Sequence, residues 1–143
     1  MYYDRQGDGY VIRFENEEVF PDRFIEFIVS QSIEAGAFTG IGAMNKFEIA
    51  YFDTTRKEYL DREYDEQVEV LALTGNVALH DGAPLVHVHA TLGRRDYSVL
   101  GGHLRSGIVC PTLEVSLRTL PQPTRRKIDP AFGLPGLDLT NRF

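Results

Sequence analysis

The sequence predicts an α+β domain in which a largely antiparallel β-sheet carries one main helix. Short runs rich in β-branched and aromatic residues recur along the chain, and only one stretch has the spacing of an amphipathic helix. Strands and helices do not alternate repeatedly, as they would in a doubly wound parallel sheet. At 143 residues the chain fits one ordinary domain, so we expect a single domain over residues 1–143.

The first two elements are a strand over residues 10–14 and a helix over residues 21–35. The strand is a short apolar run of valine, isoleucine and aromatic residues. In the helix, apolar residues recur at spacings of three and four, and Pro21 and Asp22 suit its first turn. Gly36 is placed to end the helix in a left-handed cap.

Glycines alternate with apolar residues over residues 38–44. A dinucleotide-binding fingerprint would need a further glycine at position 45 and a helix starting there, but the residue is Asn45 and the next segment alternates like a strand. We therefore expect these glycines to allow close packing of the backbone rather than phosphate binding.

Further strands are predicted by apolar and β-branched runs in the rest of the chain. They cover residues 46–53, 58–64, 68–79, 108–110 and 113–117, with a hairpin over residues 85–104. The segment 68–76 becomes more uniformly apolar toward its end, as expected for a central strand buried on both faces. From Pro121 onward, proline and glycine predict a loop that is ordered only by packing against another part of the protein.

The hairpin segment holds three of the four histidines and the only Gly-Gly pair in the chain. His87 and His89 share one face of their strand because successive side chains point to opposite faces. A three-residue turn would place His103 directly opposite His87, whereas a turn of two or four residues would place it on the other face. A bulge at residues 101–102 could restore the convergence.

Three convergent histidines form a candidate site for zinc or another divalent metal. Neutral imidazole is a common metal ligand, and three protein ligands leave a coordination position for water or a small ligand. Glu114, Asp81 or a residue of another subunit could supply a fourth ligand. The alternative is that all three are ordinary sheet histidines, hydrogen-bonded to the backbone or to solvent.

Few other residues suggest chemistry. Cys110 lies in an apolar run before a proline, where an inert buried thiol is expected. Glu69 and Glu114 fall inside apolar strands; if buried, each needs a partner such as Arg126 or a metal-bound histidine, and otherwise they face outward. The G-x-S-x-G motif of serine nucleophiles does not occur.

The net charge of −6 opposes non-specific binding of nucleic acid, which depends on neutralising phosphates with lysine and arginine. The densest basic run is Arg125, Arg126 and Lys127, which we interpret as a solvated surface turn. No apolar run has the length of a membrane span, and the N-terminal residues do not resemble a signal peptide. We therefore expect no membrane association and a cytoplasmic location, which the single cysteine also suits.

Several short motifs follow one another along the chain. They are GIGA at residues 40–43, EVLALTGN at residues 69–76, His87-x-His89, Gly101-Gly102-His103-Leu104, Glu114-Val115 and Arg126-Lys127-x-Asp129. Together they resemble the PPC domain, the plant and prokaryote conserved domain, over nearly the whole chain and in the order of that family's motifs.

The resemblance implies a compact antiparallel sheet flanked by a helix and assembled as a homotrimer. It also implies that His87, His89 and His103 are the histidines suspected of binding metal in prokaryotic members. Such members are often labelled DNA-binding, but the AT-hook of the plant proteins is absent here. The family commonly has Asp-Gly in the hairpin turn where this chain has Asp96 and Tyr97. Because tyrosine tolerates a left-handed backbone poorly, we expect the turn to adopt another conformation.

Three functional hypotheses follow. The leading one is a trimeric binding module with a three-histidine site, near a subunit boundary, for a metal ion or a small anionic ligand. Residues expected around that ligand are Glu69, Gly101, Gly102, Glu114 and Arg126. The second is a DNA-associated transcriptional regulator in which the trimer is an oligomerisation platform. The third is a metal-dependent hydrolase, since a bound metal lowers the pKa of its water toward neutrality.

Overall fold

The computed structural model describes residues 1–141, which form ten β-strands and one α-helix. In chain order they are β1 (Tyr2–Gln6), β2 (Gly9–Phe14), β3 (Val19–Phe20), α1 (Asp22–Ser30), β4 (Ala35–Asp53), β5 (Glu58–Tyr64), β6 (Val68–His80), β7 (Ala83–Gly93), β8 (Val99–Thr119), β9 (Arg126–Ile128) and β10 (Pro135–Leu137). The prediction of a mostly antiparallel sheet with one helix is confirmed.

Eight of the strands form one sheet. Its order is β1-β2-β8-β7-β6-β4-β5, with β3 also paired to β8, and all these pairings are antiparallel. Because β8 pairs with β4 as well, the strands β4, β6, β7 and β8 form a closed circuit of paired strands. The β7–β8 hairpin is therefore flanked by β6 on one side and by the second half of β4 on the other.

β4 and β8 are longer than the sequence predicted. β4 runs through the glycine-rich segment and the strand predicted over residues 46–53, and β8 joins two predicted strands to the second half of the hairpin. At Gly40, a Cβ atom would lie 2.7 Å from the carbonyl oxygen of Glu114 on β8. A residue with a side chain would push the two strands apart, so the close-packing interpretation is confirmed at this position.

Helix α1 ends several residues earlier than predicted. It begins after Pro21, as expected. Ser32 then takes a left-handed conformation with φ of 53°, and the chain enters β4, where Gly36 is a strand residue rather than a helix cap. The apolar pattern continued past the helix because Ile33 and Ala35 are also buried, but from the turn and the strand. Within the described chain no helix has the length and apolarity to cross a membrane.

The helix packs its apolar face against the inner face of the sheet. Phe24, Phe27 and Ile28 are buried, and the ring centroids of Phe24 and Phe38 on β4 are 4.9 Å apart. Full burial of one such side chain contributes about 1.5–3 kcal/mol. Since this core fills the inner face, the polar side chains that alternate with it lie on the outer face, where the histidines are found.

β6 is half exposed, which shows that its prediction as a strand buried on both faces was wrong. Leu73 and Val77 are buried, whereas Thr74 is exposed and Asn76 is half-buried. The apolar run was misleading because Leu71 is one of its members and yet faces outward, 51% exposed. The outer face of β6 therefore presents Thr74 and Asn76 to the neighbouring strand β7.

The tail after β8 is ordered by packing against β6, as the sequence predicted. Leu79 donates its backbone N–H to the Thr124 carbonyl at 2.8 Å and forms a parallel bridge with Arg125. β9 and β10 then pair in a short hairpin that the proline-rich sequence did not reveal. This packing brings Arg126 onto the end of β6.

Candidate metal centre

His87, His89 and His103 lie on the two strands of the β7–β8 hairpin. A five-residue loop, residues 94–98, joins the strands, and His89 lies directly opposite His103 in the ladder. The three-residue turn that would pair His103 with His87 is therefore not the turn that forms. Five is also an odd number, so all three side chains still share the outer face. The ladder is unbroken up to this pair, so the convergence needs no bulge at residues 101–102.

The turn of the hairpin adopts the left-handed conformation that we did not expect of tyrosine. Tyr97 has a φ of 65°, and its side chain is 93% exposed, so the ring needs no space in the interior. Asp96 Oδ1 accepts hydrogen bonds from the Ser98 N–H and hydroxyl at 3.0 and 2.6 Å. The Arg94 N–H donates to the Ser98 carbonyl. These bonds stabilise the turn and with it the register that brings the histidines together.

The three imidazole rings are close enough to share one cation. Their centroids are 5.0, 5.1 and 5.5 Å apart, and Nε2 of His87 is 3.1 Å from Nε2 of His89. One ligand nitrogen from each histidine lies within 4.8 Å of the other two. Two nitrogens bound to a tetrahedral zinc are about 3.3 Å apart, given Zn–N bonds of about 2.0–2.1 Å. The nitrogens of His87 and His89 already have nearly this spacing, and the ligand nitrogen of His103 needs to move by at most about 1.5 Å to reach it.

Burial lowers the pKa of two of the histidines. For His87 desolvation is the main cause, followed by the charges of His89 and Arg126. For His103 the pKa is lowered to about 4, again mainly by desolvation, with the charges of His87 and Arg105 adding to it. Both imidazoles are therefore neutral at neutral pH, and the neutral form is the one that binds a metal.

Asn76 and Arg126 border the cluster beside His87. Asn76 lies directly opposite His87 in the β6–β7 ladder, so the two side chains share the outer face. Arg126 donates from Nη2 to Oδ1 of Asn76 and from Nη1 to the Pro135 carbonyl at 2.7 Å. The guanidinium reaches this position only because β9 packs on β6, so the sequence could suggest Arg126 as a candidate but not its partner.

The comparison with known families decides where this chain belongs. Residues 1–121 match the model of the Plants and Prokaryotes Conserved (PCC) domain. The chain belongs to the PCC domain family. The resemblance inferred from its short motifs is thus confirmed. Among curated proteins, none matches this PCC protein.

Solved structures share the fold of this PCC protein over nearly their whole length. A candidate DNA-binding protein from Bacteroides thetaiotaomicron is 31% identical, with a TM-score of 0.93 and 96% of each chain covered. A metal-containing protein from Archaeoglobus fulgidus is 31% identical, with a TM-score of 0.86, 97% of this chain and 99% of that one covered. A plant- and prokaryote-conserved (PPC) protein from Pyrococcus horikoshii is 30% identical, with a TM-score of 0.87 and 99% and 97% covered.

The other side of the site in this PCC protein was missed at the sequence level. The Tyr59 ring lies 5.3 Å from the His103 ring, between centroids, and Arg105 lies over Tyr59 at 4.2 Å. Nε of Arg105 donates to Asp61 Oδ1 at 2.9 Å. Arg105 could have been found, because it is two residues from His103 on the same strand face. Tyr59 and Asp61 depend on the pairing of β5 with β4, which spacing alone does not give.

The predicted acidic residues lie outside the cluster. Glu69 and Glu114 are both exposed, so the alternative in which they face outward is the observed one, and neither belongs to the metal-ligating group found in residues 1–141. Asp81, the other proposed fourth ligand, has a side chain that is 93% exposed beside His80. Among residues 1–141 Arg126 therefore pairs with neither glutamate, and the alternative in which it partners a buried acid is not the observed one.

The glycine pair of β8 has a packing role next to His103. A Cβ atom on Gly102 would lie 2.7 Å from the carbonyl oxygen of Ala50 on β4, and one on Gly101 would lie 2.5 Å from the carbonyl oxygen of Ala90 on β7. Side chains here would separate β8 from its two neighbours. Gly101 and Gly102 thus let the strand that carries His103 fit between β7 and β4.

Proposed function

We propose that this PCC protein is a binding module whose three histidines, His87, His89 and His103, hold one zinc-like divalent cation. The observation that carries the proposal is the mutual approach of one nitrogen from each ring to within 4.8 Å. Three protein ligands would leave one coordination position open for water or a small ligand. The metal-containing relative from Archaeoglobus fulgidus, 31% identical over nearly the whole chain, supports the same assignment.

A metal-free interpretation accounts for only part of the geometry. The 3.1 Å approach of His87 Nε2 and His89 Nε2 also suits a hydrogen bond in which one ring donates and the other accepts. His103 takes no part in that hydrogen bond, and its Nδ1 is a buried nitrogen without a hydrogen-bond partner among residues 1–141. Buried polar atoms normally have partners, and three imidazoles at this spacing, of which His87 and His103 are half-buried, favour a shared cation.

Metal analysis tests the proposal directly. Wild-type protein that is stripped with a chelator and then dialysed against trace zinc is expected to take up about one zinc ion per chain, because the three imidazoles already lie close together in the metal-free fold. His103→Ala is expected to lower zinc affinity by more than the roughly 10–100-fold cost of losing an outer-shell partner. Elemental analysis and competition with a chromophoric chelator give the stoichiometry and the affinity.

The fourth histidine provides the matched control for this experiment. His80 lies at the end of β6 beside Asp81, outside the cluster, so His80→Ala removes an imidazole without removing a proposed ligand. It is expected to bind zinc like the wild type. Wild-type protein that takes up no zinc, or a His103→Ala variant that binds it equally well, would contradict the proposal.

We assign binding rather than hydrolysis to the site. A hydrolase needs a general base beside the metal-bound water, and in residues 1–141 the metal-ligating group contains histidines only. Glu69 and Glu114 are exposed elsewhere on the sheet. Asp61, which lies on β5 beside Arg105, is engaged in accepting a hydrogen bond from that arginine.

Direct binding of DNA is not part of the proposal. Relatives from Bacteroides thetaiotaomicron and Ralstonia eutropha are named as candidate DNA-binding proteins. In this chain the net charge of −6 opposes contact with phosphates. The densest basic run is also largely engaged, because Arg126 is buried and Lys127 pairs with Asp138 at 2.6 Å.

We further propose that the protein assembles as a homotrimer through the outer face of the sheet. Val11, Ile41 and Leu71 are 51%, 60% and 51% exposed and border one shallow depression there. Exposed apolar clusters of this kind mark contact surfaces. The depression includes Thr74, the residue opposite His89, so the histidines would lie near a subunit boundary.

Measuring the mass in solution tests the assembly. Sedimentation equilibrium is expected to give three times the 16.2 kDa chain mass. Ile41→Lys is expected to dissociate the trimer, because it places a charge in the proposed contact. Val29→Lys changes an equally exposed residue on α1, 56% exposed, and is expected to leave the mass unchanged. A wild-type monomer would rule the assembly out.

A further inference from the structure

We propose that the open coordination position of the histidine site takes a small oxyanion, a carboxylate or phosphate group, with Arg126 as its second anchor. The inference rests on the proposed metal site and specifies the chemical class of its ligand. It is carried by the burial of Arg126, by the neutral character of its hydrogen-bond partners among residues 1–141, and by its position beside Asn76, the residue opposite His87.

Arg126 is the charged side chain that the protein buries among residues 1–141, with only 9% of it exposed. In that part of the chain its hydrogen-bond partners are both neutral: the Pro135 carbonyl and Oδ1 of Asn76. Its Nε has no partner. A guanidinium has five N–H donors, so several remain without an acceptor.

Burying the guanidinium of Arg126 costs free energy unless an anion pairs with it. Removing a cation from water carries a large desolvation penalty, which neutral acceptors offset only in part. Arg105, on the other side of the cluster, provides a comparison because its charge is compensated within the fold. It is paired with Asp61 at 2.9 Å and stacked on Tyr59. Arg126 lacks this compensation and so has the character of a ligand-binding group.

Arg126 borders the histidine cluster through its contact with Asn76. Asn76, which holds the guanidinium, lies directly opposite His87 on the neighbouring strand, on the same face of the sheet. A divalent cation held by three neutral imidazoles keeps its full charge, so metal and arginine together form a positive site.

An oxyanion matches this pair of charges. One oxygen can fill the open position on the metal, while another accepts a charge-assisted hydrogen bond from the guanidinium. A neutral ligand would leave the buried charge of Arg126 uncompensated, and a cation would be repelled by both groups. The geometry thus selects small acids or phosphate esters over amines and neutral molecules.

Cobalt-substituted protein makes the binding visible, since Co²⁺ replaces zinc and its absorption spectrum responds to a change of ligand. Wild-type protein loaded with Co²⁺ is titrated with acetate, with inorganic phosphate and with chloride. Acetate or phosphate is expected to change the visible spectrum in a saturable way, and the one that binds more tightly identifies the group. Arg126→Gln is expected to weaken this binding by at least about tenfold, while its cobalt content is unchanged.

Two variants separate this result from a structural effect. Arg125→Gln removes the same charge from the exposed neighbouring residue and is expected to bind the anion like the wild type. Arg126→Met keeps the buried stem of the side chain without the charge and replaces the glutamine variant where that one is unstable. Equal anion affinity in the Arg126 variants and the wild type, or no anion response in cobalt-loaded wild type, would overturn the inference. Failure of the wild type to bind cobalt would instead contradict the metal site itself.

Discussion

Saturating zinc is expected to raise the free energy of unfolding of the wild-type protein by about 4 kcal/mol when free zinc is about 1,000 times its dissociation constant. The stabilisation arises because the three ligands converge only in the folded chain. His87 and His89 are on one strand, but His103 reaches them only through the β7–β8 ladder. Urea unfolding at a buffered zinc concentration measures the effect, and His103→Ala is expected to lose most of it.

The control is again His80→Ala, which is expected to keep the full zinc-dependent gain. Each variant is compared with its own metal-free form, so that the structural cost of the substitution cancels. A gain of equal size in wild type and His103→Ala would show that zinc binds elsewhere.

The stability of the metal-free protein is expected to depend on pH through His103. Between about pH 6.5 and 4 the unfolded chain takes up a proton at His103 more readily than the folded chain, because the pKa of His103 in the folded protein is about 4. Stability is therefore expected to fall as the pH falls through this window.

The location of the metal site followed from the sequence because strand geometry is simple. Alternation puts His87 and His89 on one face, and any loop with an odd number of residues returns His103 to that face. The loop length remained open at the level of the sequence, since it depends on the hydrogen bonds of Asp96 with Ser98, which support a left-handed Tyr97 in a five-residue turn. These side-chain hydrogen bonds stabilise the turn, although Tyr97 stands where an Asp-Gly turn would have glycine.

The surroundings of the site could not be predicted in the same way, because they depend on contacts between distant parts of the chain. Arg126 meets Asn76 only after β9 packs on β6, 50 residues away in sequence. Tyr59 reaches His103 through β5 and the second half of β4. The closed circuit of β4, β6, β7 and β8 includes several register shifts along β4, two of them at Gly42, which period-two patterns do not show.

The limits of the helix have a related cause. Burial of Ile33 and Ala35 extended the apolar pattern beyond Ser30, although these residues reach the core from a turn and a strand. Periodicity reports which residues are buried and not which element buries them. The local conformation of Ser32, with φ of 53°, ends the helix before the pattern does.

Gly75→Ala is expected to destabilise the protein by about 3 kcal/mol, at the upper end of the usual cost of overpacking. Gly75 lies on β6 opposite Val88, between the two strand positions that face His87 and His89. A Cβ atom there would collide with the carbonyl oxygen of His87 and with the Phe38 ring. Backbone on one side and a buried ring on the other leave little room for adjustment, so β6 and β7 must separate locally.

The same substitution is expected to weaken zinc binding, because separating β6 from β7 displaces the backbone of His87 as well as its neighbour Asn76. Gly136→Ala is the matched control: it lies in β10, and a Cβ atom there has no heavy atom within 4 Å. It is expected to change stability by less than about 0.5 kcal/mol. Equal urea midpoints for the two variants would show that β6 and β7 can separate locally without loss of stability. The site would then not depend on a rigid ladder, and the order of the three histidines would need another explanation.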